Sequence, residues 1–308
     1  MERAIWVHQF NQLGEQTAAE IAATLLPRNI TRVYVKAMDG TTWMGSIYSH
    51  PLAPRAATWS QTITDFANNG LQLLPWVVNR RSASEAGPHL ECGYQAGGLL
   101  VDFEYQYAGF WQGTDSAAYA YFDALRAEAS SGWIAIAPDP RQVRRDYGAD
   151  MIYGLSAYLP QNYWTDFQQP VDDVMNMGHE NLTGLGPIEP ILPYNGTRTD
   201  VQRALTMALE HGDKSVSMWR MGTADADQLD AFAEHVPQED DVQPPPTQEQ
   251  SELEKVTQER NGLVSSLGMI AGDWLRPVVS ARTKPSKSLK RLIEGIRHEA
   301  EAHGIEHA

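Results

Sequence analysis

Two acidic side chains, Asp102 and Glu104, end the apolar segment GGLLVDFE (97–104). Alternate side chains of an extended chain point to opposite sides, so both acids share one side with Leu100. The rise along a strand places their Cα atoms about 6.6 Å apart, and repulsion at that range raises the pKa of one carboxyl group. Such a group can deliver a proton near neutral pH. We expect Glu104, nearer the strand end, to act as a general acid, with Asp102 as its electrostatic and hydrogen-bonding partner.

Short apolar runs and helix-like segments alternate along the chain. The eight runs are 4–10, 32–40, 71–80, 97–104, 133–140, 151–160, 188–195 and 215–222. Between them lie helix-like segments such as 17–26, 58–70, 114–129, 199–212 and 224–236, several opened by Thr or Asp and several closed by Gly. This alternation predicts an α/β protein with a (β/α)8 TIM barrel over residues 1–236. An open doubly wound sheet is the alternative, but the segment after the first run, NQLGEQT, lacks the glycine-rich phosphate turn of that fold.

Polar and aromatic residues follow nearly every run, where a (β/α)8 barrel places its active site. Aromatic rings stack on the apolar faces of sugars, and carboxylates and amides hydrogen-bond sugar hydroxyls. We therefore expect a carbohydrate site. Its expected substrate-binding residues are Lys36, Asp39, Trp43, Trp76, Tyr158, Gln161, Tyr163 and Trp219.

Cleavage of a glycosidic bond needs a general acid, together with a second carboxylate or help from the N-acetyl group of the substrate. Asp39 and Asp139 are candidates for a second carboxylate. Asp139 lies in the turn-like sequence PDPR and also suits a plain turn. A single histidine on an apolar strand, such as His8, is more often a hydrogen-bonded core residue than a catalytic base.

The chain resembles the glycoside hydrolase-type TIM barrels that include chitinase-like and Chalaropsis-type lysozyme-like enzymes. The resemblance rests on VDFE at the fourth run, AYLPQNYW at the sixth and SMWR at the eighth. It implies a glycosidase barrel in which Asp102 and Glu104 are the Asp-x-Glu acids and Trp219 lies under the sugar. Chitinase-like enzymes carry further aspartates before this motif, where the corresponding positions of the present chain include Gly97, Leu99 and Leu100. Lysozyme-like members place an acid on the first strand, where it has His8.

Composition narrows the range of partners. The formal net charge of −15 over 308 residues argues against nucleic acid as a partner, because phosphate contacts need a basic surface. The single cysteine, Cys92, excludes an intramolecular disulfide and a zinc-thiolate site. No second histidine stands at ligand spacing from His8. We expect neither a metal nor another cofactor, and a polysaccharide as substrate or ligand.

The N-terminal segment MERAIWVHQF enters an apolar run within a few residues and has no room for a signal peptide. No stretch reaches the length of about 18 apolar residues that a membrane helix needs. We expect synthesis in the cytoplasm and no membrane partner.

The composition changes after Val236. Residues 237–250 form an acidic, proline-rich linker. Residues 251–308 predict a helical tail whose apolar residues fit a coiled-coil heptad, with Arg260 as the misfit. The tail holds nine basic and eight acidic residues against the acidic barrel. We expect it to contact itself or a larger assembly, although an amphipathic helix docked on its own barrel fits equally well.

Two functions remain open on the sequence alone. The first is a glycosidase that cleaves cell-wall glycan, with an architecture that fits a phage or virion-associated lysin. The second is a non-catalytic glycan-binding or structural subunit of a phage tail or similar particle. A barrel that uses Lys36 for Schiff-base chemistry is disfavoured, because no phosphate-binding glycines follow the seventh and eighth runs.

Overall fold

The computed structural model of the protein describes residues 1–8, 13, 17–44, 59–105, 110–129 and 132–234. The expected linker (237–250) and the expected helical tail (251–308), with its heptad pattern, lie outside the described residues.

Within these residues, nine strands form one sheet. They are β1 (Glu2–Val7), β2 (Ile30–Asp39), β3 (Thr42–Trp43), β4 (Gln72–Val78), β5 (Gly98–Phe103), β6 (Trp133–Pro138), β7 (Ala157–Tyr158), β8 (Ile191–Pro193) and β9 (Ser215–Trp219). The strand β3 pairs antiparallel with β2 as a short hairpin. The pairs among the other strands are parallel.

Helices follow the strands along the described chain. They are α1 (Ala18–Leu25), α2 (Trp59–Asn68), α3 (Ala86–Ala96), α4 (Asp115–Glu128), α5 (Ala149–Ile152), α6 (Trp164–Phe167), α7 (Val171–Leu182), α8 (Arg198–Glu210) and α9 (Ala226–Glu234). Thr17, Thr114 and Thr197 cap α1, α4 and α8 with side-chain hydrogen bonds to backbone N–H groups of the first turn. The helices therefore begin close to where their threonine signals predict.

The parallel strands run in the order β7-β6-β5-β4-β2-β1-β9-β8. Backbone hydrogen bonds close the ring between the first and last of these strands. The Tyr158 amide donates to the carbonyl of Pro187 at 2.9 Å, and the Asn162 amide donates to that of Ile191 at 2.9 Å. The α/β class and the (β/α)8 barrel are confirmed.

The two faces of the strands bury different layers. Trp6, Trp76 and Leu100 belong to the apolar cluster inside the barrel. Val101 and Phe103 belong to the larger cluster between the strands and the helices. Since Leu100 faces the interior, Asp102 on the same side of β5 also points inside, at the carboxyl end of the strand.

The sixth predicted run, 151–160, is wrong in its first half. Met151 and Ile152 belong to the helix α5, and the strand covers only Ala157–Tyr158. Gly154 adopts a positive φ of 81°, a turn conformation that ends the preceding segment. Among the described helices, none is both long enough and apolar enough to span a membrane.

Candidate active site

A cavity of about 570 Å³ opens at the carboxyl ends of the strands. It holds acidic, basic and aromatic groups around its wall. Its lining residues are Trp6, His8, Lys36, Trp76, Val78, Arg80, Asp102, Glu104, Phe110, Asp139, Arg141, Gln161, Tyr163, Asp166, Phe167, Ile191 and Trp219. The cavity therefore lies where the fold is expected to place its chemistry.

Asp102 is the deeper of the two central acids and is buried. The amide Nε2 of Gln161 donates one hydrogen bond to Asp102 Oδ1 at 3.0 Å and another to the carbonyl of Ala137 at 3.2 Å. Burial raises the pKa of Asp102 well above its usual value, and the Glu104 charge raises it further, against the opposing effect of Lys36 and other groups. Burial and the Glu104 charge therefore both favour the neutral form of Asp102.

Glu104 follows the strand β5 directly and faces the same cavity. Burial, together with the neighbouring charge of Asp139, raises the pKa of Glu104 to about 7 overall. A hydrogen bond with Gln161 and the charge of Arg141 act in the opposite direction. At neutral pH, about half of the Glu104 groups carry a proton, which is the state that a general acid requires.

Asp139 and Arg141 form a pair on the neighbouring strand end. Arg141 Nη2 lies 2.6 Å from Asp139 Oδ2, and Arg141 Nε lies 3.0 Å from Asp139 Oδ1. The guanidinium carbon of Arg141 lies 3.7 Å from the ring centre of Phe167. The aspartate and the aromatic ring together fix the guanidinium plane at the wall of the cavity.

A second charged cluster lies on the opposite side of the central acids. Arg80 binds Asp39 through two bonds, at 2.5 Å from Nε and 2.6 Å from Nη2. The ammonium group of Lys36 lies 3.1 Å from the same carboxylate and 5.1 Å from the ring centre of Trp76. Although burial alone would raise the pKa of Asp39, the bonds from Arg80 and Lys36 lower it overall. Asp39 therefore stays ionised and holds two cations at the rim.

The floor of the cavity is aromatic. Trp6, Trp76 and Trp219 contact one another with ring-centre distances of 5.4 to 5.7 Å. Trp76 donates from its indole N–H to the Val7 carbonyl at 3.0 Å, and this bond fixes the ring. The His8 ring stacks on Trp76 at 6.0 Å. This floor offers flat apolar surface to a ring-shaped ligand.

Most of the predicted site residues meet in this cavity. The lining includes Asp102, Glu104, Lys36, Trp76, Gln161, Tyr163 and Trp219. Asp39 is not part of the lining, but it binds Lys36 and Arg80, which are. His8, expected in the core, lies at the cavity wall instead. Asp139, weighed as a turn residue, also lines the cavity and is buried.

The structure does not bring two predicted residues to the cavity. The Tyr158 ring is buried in the layer between strands and helices, and its hydroxyl donates to the Ile152 carbonyl at 2.9 Å. Trp43 packs edge-on against Trp59 at 5.4 Å, because the hairpin strand β3 carries it toward the helix α2. The structure gives both residues packing positions outside the cavity lining.

Sequence reasoning missed several lining residues. Arg141 follows Asp139 in a turn-like segment, and Phe110 and Phe167 lie beyond the strand ends. Trp6 lies inside the first run and was not among the predicted site residues. Alternation along a strand was the one available signal, since it aligns Trp6 with His8 on the inner side of β1.

The described residues include no group of three or more His, Cys, Asp or Glu side chains that could hold a metal ion. The site combines a proton donor with pKa near neutrality, a buried acidic partner and an aromatic floor. Such a set can protonate a leaving group and support a developing positive charge on a bound sugar.

No family model matches the sequence, and the search of curated proteins found no match either. Solved structures do share the fold. A chitinase from Chromobacterium violaceum is 11% identical, with a TM-score of 0.50, over 75% of this chain and 97% of that one. The xylanase-alpha-amylase inhibitor protein XAIP-I, solved with trehalose, is 13% identical, with a TM-score of 0.53, over 75% of this chain and 97% of that one.

The chitinase-like agglutinin RobpsCRA from Robinia pseudoacacia gives a similar match. It is 12% identical, with a TM-score of 0.52, over 75% of this chain and 98% of the agglutinin. At such low identity the likeness shows the fold alone. The chain therefore has the barrel fold found in chitinases and chitinase-like proteins, as its resemblance to these barrels implied.

Proposed function

We propose that the protein is a glycoside hydrolase that acts on a polysaccharide, with Glu104 as the general acid. The observation that carries the proposal is the position of Glu104. It lies beside the buried Asp102, above an aromatic floor, with a pKa of about 7. A carboxyl group in that state can protonate a glycosidic oxygen near neutral pH.

In the proposed reaction, Glu104 donates its proton to the glycosidic oxygen as the bond from that oxygen to the anomeric carbon breaks. Positive charge develops on the sugar ring, which the indole faces and nearby carboxyl groups stabilise. A water molecule then adds its hydroxyl to the anomeric carbon, and its remaining proton returns to Glu104. The enzyme thus ends in its starting protonation state.

Between these steps, either a nucleophile forms a bond to the anomeric carbon and is later displaced by water, or water attacks the anomeric carbon directly. Asp139 is already bound by Arg141, which weakens it as a nucleophile. The arrangement favours help from an N-acetyl group of the substrate, with Asp102 accepting a hydrogen bond from the acetamido N–H. A glycan with N-acetylated sugars, such as a cell-wall polymer, fits this route. One fold neighbour, from Chromobacterium violaceum, is a chitinase, which agrees with such a substrate class.

The test is a screen of the purified protein against peptidoglycan, chitin and common glucans, with Glu104→Gln beside the wild type. We expect the wild type to cleave at least one N-acetylated glycan and Glu104→Gln to lose most of that activity. Glu104→Gln keeps the size of the side chain but cannot donate an acidic proton. Retention of full activity by this variant on every cleaved glycan would refute the assignment of Glu104.

A second candidate function is a glycan-binding protein without turnover. The ion pair between Arg141 and Asp139 favours it, because it occupies the carboxylate next to Glu104. Two fold neighbours are described as an inhibitor protein and an agglutinin. The same screen separates the two functions, since a binding protein would retain a glycan in a pull-down and release no reducing ends.

The place where the protein acts is also a proposal. The proline-rich linker and the heptad-like tail in the sequence suit attachment to a larger particle, and a lysin carried by a phage virion would need such attachment. Mass spectrometry of purified virions from a phage that encodes the chain tests this part of the proposal. Absence of the protein from the particle would contradict it without affecting the glycosidase assignment.

A further inference from the structure

Two arginines flank the candidate acid. The strands β4 and β6 both pair with β5, which carries Glu104 at its end. Arg80 follows β4 and Arg141 follows β6, and both side chains line the cavity. A glycan that passes over Glu104 across these strands therefore meets one guanidinium group on each side.

Each guanidinium group donates its hydrogen bonds to described residues from one face. Arg80 donates from Nε and Nη2 to Asp39, and Arg141 donates from the same two atoms to Asp139. Within the described part of the chain, Nη1 of either residue makes no hydrogen bond. A guanidinium group has five N–H donors in a planar fork. Among the described residues, the end face, formed by Nη1 and the second hydrogen of Nη2, therefore has no hydrogen-bond partner on either arginine.

Both groups are held in place and remain accessible. The guanidinium carbon of Arg141 lies 3.7 Å from the ring centre of Phe167, and that of Arg80 lies 5.7 Å from the ring centre of Phe110. The side chains of Arg80 and Arg141 are 31% and 41% exposed. A guanidinium group that is fixed before the ligand arrives loses little rotational freedom on binding.

We propose that Arg80 and Arg141 bind carboxylate groups on the sugars at either side of the scissile bond, so that the substrate is an acidic glycan. The inference rests on the proposed function, because it assigns the substrate class of that same site. A carboxylate offers two coplanar oxygens to the end face of a guanidinium group, whereas a sugar hydroxyl offers one.

The charges around the cavity are compatible with an anionic ligand. Asp39 and Asp139 are each paired with an arginine, and Lys36 adds a further positive charge at the rim. Glu104 is neutral in the state that acts as an acid. Asp166 is the remaining acidic lining residue beside the central pair. The aspartate bound to each arginine is therefore already neutralised by that arginine. It repels an incoming ligand carboxylate less than an unpaired aspartate would.

The test measures binding by calorimetry in the Glu104→Gln background, which prevents turnover. The probes are two acidic oligosaccharides, one with uronic acids and one with lactyl ethers on N-acetylated sugars. Each is compared with its own carboxyl-reduced form, and a chitin oligosaccharide is the neutral reference. Arg80→Gln and Arg141→Gln are compared with Arg145→Gln, a control outside the cavity lining whose side chain is 63% exposed.

We expect at least one acidic probe to bind more tightly than its reduced form. Arg80→Gln and Arg141→Gln should each weaken that probe about tenfold and leave the reduced form nearly unchanged. Arg145→Gln should change neither. Raising the ionic strength should weaken the acidic probe alone.

Equal binding of acidic and reduced probes, or equal losses on both in the arginine variants, would overturn the inference and leave the glycosidase proposal standing. Tighter binding of the chitin oligosaccharide than of both acidic probes would do the same. If no probe binds and the wild type cleaves no glycan, the proposed function fails together with the inference.

Discussion

Replacement of Asp139 by Asn tests how the cavity sets the protonation state of Glu104. Asp139 follows β6 as Glu104 follows the neighbouring strand β5, and its charge raises the pKa of Glu104. Neighbouring strand backbones lie about 4.8 Å apart, so a separation of about 6 Å between carboxyl groups on adjacent strand ends sets the scale of the interaction. At an effective dielectric constant of about 20, unit charges at that distance interact by about 2.8 kcal/mol, or about two pKa units.

The open mouth of the cavity and the bound Arg141 screen this interaction, so we expect a change of about one pKa unit. The direction is fixed. Asp139→Asn removes a negative charge and leaves the Arg141 charge uncompensated, and both effects lower the pKa of Glu104 from about 7 toward about 6. At pH 7 the protonated fraction of Glu104 then falls from about half to about a tenth, which lowers activity about fivefold.

The assay is the titration of the Glu104 carboxyl carbon by NMR, with the pH profile of hydrolysis beside it. The alkaline limb of the profile should move down by about one pH unit, while the maximal rate at acidic pH is retained. Asp166→Asn is the matched control, because Asp166 lines the same cavity but is not among the charges that raise the pKa of Glu104. An unchanged or higher Glu104 pKa in Asp139→Asn would refute the electrostatic reasoning. Loss of activity at every pH would instead identify Asp139 as a reacting group.

Two further substitutions test other parts of the structure. Gln161→Leu removes the hydrogen bond to Asp102 and the one with Glu104, so the pKa of both acids should rise and the alkaline limb of the pH profile should move to higher pH. The kcat of Gln161→Leu should fall about tenfold or more. A rise in KM alone, with kcat and the pH profile unchanged, would argue against a positioning role for Gln161. Asp213→Asn removes the partner of His179, whose Nε2 lies 3.0 Å from Asp213 Oδ1. Although burial lowers the pKa of His179, the Asp213 bond and charge raise it overall. Protonated His179 therefore stabilises the fold below its unfolded pKa, and this contribution disappears as pH rises through the folded pKa. The melting temperature of Asp213→Asn should accordingly fall more at pH 5.5 than at pH 8.5, and an equal fall at both would contradict the charge-based account.

The fold and the central acids were predictable because both depend on short-range patterns. Alternation of apolar runs with helical segments determines the barrel, and the two-residue period of β5 places Asp102 on the inner side with Leu100. The same period, applied to the sixth run, aligns Gln161 and Tyr163 with the inward Ala157 and Leu159 and leaves Tyr158 outside. The prediction of Tyr158 as a substrate-binding residue failed because it included every polar residue near the strand end, whichever side of the strand the residue faces.

Other features depend on contacts between distant segments. Arg141 turns back onto Asp139 and Phe167, and neither contact follows from a turn-like sequence. Trp43 lies outside the cavity lining because it belongs to the two-residue strand β3, which forms a hairpin with β2. A strand this short has no strong sequence signal. The pKa of Glu104 depends on burial and on the Asp139 charge, which only the assembled barrel brings together.

The most direct test of Glu104 as the general acid compares two leaving groups on the sugar that the wild type cleaves. A dinitrophenyl leaving group departs without a proton, whereas a sugar hydroxyl needs one. We predict that Glu104→Gln loses about 100-fold or more of the rate on the natural glycan and nearly none on the dinitrophenyl glycoside. Equal losses on both substrates would contradict proton donation by Glu104.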